Sequence, residues 1–168
     1  MNKLPKMKVI GVGNEWRSDD AAGLLVARGL AAEKLPQVDV VERRGMAGEV
    51  QDALTGADGV IVADAVSSGG SPGAIYRFDA LGGVPVELSR SPSSHGWGVA
   101  EAMALGRVLG ELPPFLVIYG IEGQNFEPGR DLSTEVAAAI PEVVRRIKQE
   151  IREWLKRAPR PKRRTDGT

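Results

Sequence analysis

Five short runs rich in β-branched residues, separated by stretches of helical periodicity, constrain this chain more than any other feature. The runs span residues 8–13, 38–42, 59–64, 74–78 and 115–120 and are bounded by turn formers, lengths that suit strands better than helices. Ala22, Leu25, Val26, Gly29 and Leu30 repeat at the spacing of one helix face, with Ser18 placed as N-cap and acidic residues in the first turn. A shorter pattern runs through Val50, Ala53 and Leu54, and a third spans 98–109. A fourth carries Ile140, Val144, Ile147, Ile151 and Leu155 from Ser133 onward, with Pro141 expected to kink or restart it. Alternating strands and helices predict a mostly parallel sheet covered on both faces, while the helix-free link between the third and fourth strands fits an antiparallel step. The expected fold is α/β: a three-layer α/β/α sandwich around a five-stranded mixed, mostly parallel sheet.

A chain of 168 residues is long enough for one substantial core, and no long linker interrupts it. Residues 1–155 are read as a single domain and 156–168 as a basic tail, which holds six of the 22 basic residues and one of the 22 acidic ones. Such a tail is read as a solvated end, with no nucleic-acid partner assigned to it. No apolar run approaches the roughly 18 residues of a membrane span. Residues 1–8 carry three lysines without an apolar stretch behind them, so a cytoplasmic location is expected. The absence of cysteine excludes disulfides, thiolate zinc sites, iron–sulfur clusters and thiol nucleophiles, leaving nitrogen and oxygen as the only metal donors.

In an open α/β sheet, ligands bind at loops on the carboxyl ends of the strands. The loop after the first run, Gly11 to Gly23, is packed with polar residues and leads into a helix. It departs from a dinucleotide fingerprint because Trp16 stands where a glycine is required, and two carboxylates at the helix start would repel a pyrophosphate. Asp19 and Asp20 are each explained by favourable interaction with the helix dipole, but the same field keeps a carboxylate ionised, as a metal ligand must be. Asp64 closes the apolar run Val60-Ile61-Val62-Ala63 and is read either as capping the next turn or as part of the functional rim. His95, the only histidine, lies in a Ser-Ser-His-Gly turn that opens the third helical pattern. Two carboxylates and one imidazole suit a borderline divalent ion such as nickel or zinc and leave coordination positions open.

At these residues the sequence resembles the hydrogenase maturation proteases, nickel-dependent endopeptidases that act on the nickel–iron hydrogenase large subunit. The resemblance covers about residues 7–151 and rests on Gly11-x-Gly13-Asn14 with Asp19-Asp20 and Gly23, on Val62-Ala63-Asp64-Ala65, on Ser94-His95-Gly96, and on Tyr119-Gly120-Ile121-Glu122 with Leu132-Ser133. It implies the three-layer sandwich, metal ligation by Asp20, Asp64 and His95, and a metal that is the nickel already inserted in the substrate. The implied partner is the large-subunit precursor, whose C-terminal extension is removed. Asn14, Asp19 and Gly45 are further candidates for contact with substrate.

Two departures accompany the match. The first-helix acid is often glutamate in the family, and Asp20 reaches one methylene less far. The loop from Glu42 to Gly48 lacks the aspartate that many relatives carry beside its glycines, so the resemblance assigns no catalytic group there. A divalent metal polarises a carbonyl and activates water, whereas a serine triad would have to use the single histidine as base. Two other readings stay open at this level: a non-catalytic chaperone that grips the same precursor, and a nucleotide-binding protein.

Overall fold

The computed structural model describes residues 4–83 and 96–158. Five strands, β1 (Met7–Val12), β2 (Val38–Arg43), β3 (Gly59–Val66), β4 (Ile75–Asp79) and β5 (Phe115–Glu122), form one sheet in the order β2-β1-β3-β5-β4. All neighbours are parallel except β4, which runs antiparallel to β5. The antiparallel step therefore exists, but β4 pairs with β5 rather than with β3. The segment after β3 crosses over, and β5 takes the buried position between them.

Helices α1 (Ala22–Ala32), α2 (Ala47–Leu54), α3 (Gly96–Leu109) and α4 (Thr134–Arg157) cover the two faces. Val26 and Leu30 of α1 pack with Val136, Val143, Ile147 and Ile151 of α4 on one side. Val50 and Leu54 of α2 pack with Val99, Ala102 and Met103 of α3 on the other. Each fully buried aliphatic side chain contributes about 1.5–3 kcal/mol, so these two layers supply the main driving force for the fold. Strand alternation assigns the faces: Ile61, Ala63 and Ala65 of β3 join the α1/α4 layer, while Val60, Val62 and Val66 join the α2/α3 layer.

Several local expectations differ from the structure. Pro141 neither splits nor restarts its helix, since α4 runs unbroken for 24 residues. Ser18 does not cap α1; it opens a 3₁₀ turn, Ser18–Ala21, that inserts Asp19 and Asp20 ahead of the helix. The Ser18 hydroxyl instead donates to the Glu127 carbonyl at 2.9 Å. Among the described residues, no helix is long and apolar enough to cross a membrane.

One partly buried polar contact ties α4 to the sheet. Tyr119 of β5 donates its hydroxyl proton to Glu150, and Arg77 of β4 donates to the same carboxylate through Nε at 3.0 and 3.1 Å. Burial pushes the Glu150 carboxyl up, but the hydrogen bonds from Arg77 and Tyr119 outweigh it and hold the group below its usual 4.5. Because the folded value is depressed, the stabilisation is present in full above about pH 4.5 and is lost as pH falls through the folded value. Arg77 is half exposed, which limits the contribution to about 1 kcal/mol. Glu150→Gln should therefore lower the melting temperature by about 2–4 °C at pH 7, and the difference from the parent protein should shrink progressively as pH falls below about 4.5 in acid-unfolding titrations.

Candidate active site

The sheet order reverses direction between β1 and β3, the crevice where open α/β sheets bind ligands. Both sequence-predicted aspartates flank it. Asp20 lies in the 3₁₀ turn that follows β1, and Asp64 lies on β3. The expectation that Asp64 ends its strand is corrected: β3 continues to Val66, held by β5 through the Asp64–Gly120, Ala65–Ile121 and Val66–Glu122 pairs. Asp64 nonetheless stands at the rim, because the β1–β3 ladder stops at Gly11–Ala63 and β1 departs into its loop. The strand outlives its neighbour on one side only, and the carboxylate sits in the step so formed.

The helix that follows is seated by glycine. A Cβ at Gly23 would lie 2.3 Å from the carbonyl oxygens of both Ala63 and Val12, so the start of α1 presses directly on the strand ends that flank the crevice. Any side chain there would lift α1 and carry Asp20 away from Asp64.

Asp19, Asp20 and Asp64 are each 0 % exposed, yet their environments differ. The Asp19 carboxylate accepts from the Gln124 and Asn125 backbone N–H groups at 2.8 and 2.9 Å. It also accepts from the N–H and hydroxyl of Ser133, both at 2.7 Å. Burial pushes its pKa up, but these hydrogen bonds, led by the Ser133 hydroxyl, hold it below the ordinary value. Asp19 thus ties the Asp20 turn to the β5–α4 loop. Neither oxygen of Asp64 has a hydrogen-bond partner among the described residues. Burial, reinforced by the charge of neighbouring Asp20, pushes the Asp64 carboxyl well above the usual aspartate value, with the Ala65 backbone N–H opposing.

A fourth buried acid, Glu122, has no role in the sequence reading although it lies in a motif singled out there. It accepts from the Ser68 hydroxyl at 2.6 Å and from the Ser68, Gly69 and Gly70 N–H groups at 2.9, 3.0 and 3.2 Å. It holds the β3–β4 turn as Asp19 holds the β5–α4 loop. The signal available in the sequence was an acid following an otherwise apolar strand run.

His95 lies outside the described residues, and among those described no group of three metal-binding side chains is assembled. The helix that follows it in sequence is placed: a Cβ at Gly98 would lie 1.6 Å from the Gly45 carbonyl oxygen, so the first turn of α3 rests on the loop after β2. Gly45 therefore lies in a helix contact. Asn14 lines a cavity of about 600 Å³ at the carboxyl ends of β1 and β2, together with Gly13, Glu15, Trp16, Arg28, Arg43 and Arg44.

The fold that carries these residues has counterparts among known proteins. The family model described as HycI, hydrogenase maturation protease, matches residues 25–150. The hydrogenase 2 maturation protease of Escherichia coli strain K12 is 30% identical over 153 residues, covering 88% of this chain and 92% of its own. The solved hydrogenase maturating endopeptidase HybD from E. coli superimposes with a TM-score of 0.78 at 26% identity, over 88% of this chain and 93% of that one. The fold is shared further with a nickel–iron hydrogenase maturation protease HybD from Thermococcus kodakarensis, at a TM-score of 0.65, 24% identity, and coverage of 86% and 98%. The chain belongs to the hydrogenase maturation protease family and is an endopeptidase.

The buried aspartates Asp19 and Asp64 predict opposite mutational signs. Asp19→Asn places an amide among donors and should destabilise the protein by about 3 kcal/mol, a fall of roughly 6–12 °C in melting temperature. Asp64→Asn removes a wholly buried carboxyl that faces the charge of Asp20 and has no hydrogen-bond partner among the described residues, and in chelator-treated protein it should raise the melting temperature by about 2–4 °C. Differential scanning calorimetry of the two variants checks both.

Proposed function

We propose that this endopeptidase removes the C-terminal extension of a nickel-loaded nickel–iron hydrogenase large-subunit precursor in the cytoplasm, recognising the precursor through its nickel. The observation that carries this reading is the Asp64 carboxylate, wholly buried at the sheet switch point, without a hydrogen-bond partner among the described residues and beside a second buried aspartate. Such a group is costly in a folded interior unless a cation meets it, and a divalent metal is the cation suited to two carboxylates at once.

The metal ligands in this reading are Asp20, Asp64 and His95. Their oxygen and nitrogen donors suit nickel, and zinc or another divalent ion can substitute. His95 immediately precedes α3, whose first turn rests on the Gly45 loop, and Asp64 has the strand parity of the residues facing the α2/α3 layer. Both facts support counting the imidazole with the two carboxylates. Nickel is part of the substrate, so three protein ligands leave room for those the precursor itself contributes, and an unloaded precursor offers nothing to bind. Its role is recognition: it fixes the precursor's C-terminal segment against the rim. Asp19 acts here by holding the turn that carries Asp20, while Asn14 and Gly45 border the path of the precursor chain.

Incubating the purified protein with nickel-loaded precursor should give a mass loss equal to that of a C-terminal peptide, with no loss from nickel-free precursor. Asp20→Ala, Asp64→Asn and His95→Ala should each abolish it. Normal cleavage by His95→Ala would sink the shared-metal reading, and a stable complex with no shortened product would replace the protease reading with that of a maturation chaperone.

A further inference from the structure

The cavity beside the site has a distinctive balance of paired and unpaired charge. Its carboxylates are engaged: Glu15 and Glu42 lie 3.5 and 2.9 Å from the Arg28 guanidinium, and Glu49 accepts from the Arg44 backbone N–H at 3.3 Å. Its remaining arginines are not. The Arg43 guanidinium makes one hydrogen bond among the described residues, to the Glu42 carbonyl at 2.7 Å, and neither Arg43 nor Arg44 makes an ion pair among them. Each guanidinium carries five N–H donors in a fork that fits a carboxylate.

One exposed apolar side chain lines the cavity, another stands on the adjoining loop, and the cavity connects directly to the switch point. Trp16 is 59% exposed on one wall, with Arg130 stacked 4.6 Å above its ring, and Met46 is 67% exposed on the loop that carries Arg44. Exposed large apolar groups flanking a polar groove are what an extended peptide requires of a docking surface. Asn14, inside the cavity, donates its N–H to the Asp20 carbonyl at 3.3 Å, and Gly13 donates to the Arg43 carbonyl at 3.1 Å. One short loop thus borders both the aspartate pair and the arginines.

We propose that this cavity is a substrate subsite in which Arg43 and Arg44 bind an acidic side chain of the precursor's C-terminal extension, between apolar contacts to Trp16 and Met46. The inference rests on the precursor-processing reading and adds to it a specificity that the metal does not provide. Nickel reports that the precursor is loaded; the arginine pair selects which extension is presented.

The test uses nickel-loaded precursors whose extension carries its aspartates and glutamates intact, or replaced by asparagine and glutamine, or intact with an amidated C-terminus. Neutralising the acidic side chains should raise KM about tenfold with kcat held, the loss of one charge-assisted bidentate contact. Arg44→Ala and Arg43→Ala should do the same on the intact extension and add little on the neutralised one. Arg44→Glu should be restored by an extension with lysine in place of its acids. Unchanged KM for the neutralised extension, or equal losses for Arg44→Ala on both extensions, overturns the proposal, as does a KM that follows C-terminal amidation instead. Absence of cleavage of every precursor by the parent protein is the separate result that would remove the processing reading itself. Arg43 and Arg44 border solvent, so unchanged melting temperatures distinguish a lost contact from a lost fold.

Discussion

The carboxylate of Asp19 gathers hydrogen bonds from Gln124, Asn125 and Ser133, more than a hundred residues away in sequence, and the placement of Asp20 depends on that anchor. A polar loop leaving a parallel strand has many conformations, and ordering it costs roughly 1–2 kcal/mol for each residue fixed. Here the cost is offset by an ionised group meeting several backbone donors at once, which is the stronger kind of hydrogen bond. With Asp19 locked on one side and α1 seated at Gly23 on the other, Asp20 has little freedom left. Glu122 fixes the adjacent turn by the same device.

The buried aspartates around the switch point consequently serve different ends. Asp19 is a carboxylate whose burial is answered inside the protein, and it contributes to stability. Asp64, with the charge of Asp20 beside it, has only the Ala65 backbone N–H to oppose the cost of its burial. A domain of this size retains only a small surplus of stability, so an uncompensated buried carboxylate is a concession that a ligand is expected to redeem.

Much of the architecture was legible in the sequence because periodicity reports burial directly. Among the described residues, the five strands and four helices lie where alternating and helical patterns place them, and the family resemblance holds. The misses have physical causes. Strand pairing is non-local, and nothing in residues 74–78 states that β5, formed much later in the chain, will come between β3 and β4. Asp64 was read as a strand end because a charged residue after four aliphatics resembles a boundary, whereas continued pairing with β5 carries the strand past it. Asp19 and Glu122 were visible as acids, but their partners lie on loops whose approach only tertiary structure decides. The role of His95 rests on the sequence and the resemblance, since it falls outside the described residues.

The two kinds of charge at this rim respond differently to the solvent around them. Asp19 and Glu122 are sealed from water and spend their charge on backbone groups at contact distance, where dissolved ions cannot come between. Arg43 and Arg44 stand at the mouth, where counterions compete with any visiting anion. Ionic strength therefore separates scaffold from surface: added salt leaves the frame that aligns the aspartates intact while weakening whatever the arginines attract. The protein thus couples a charged surface tuned by its medium to a mount that is indifferent to it.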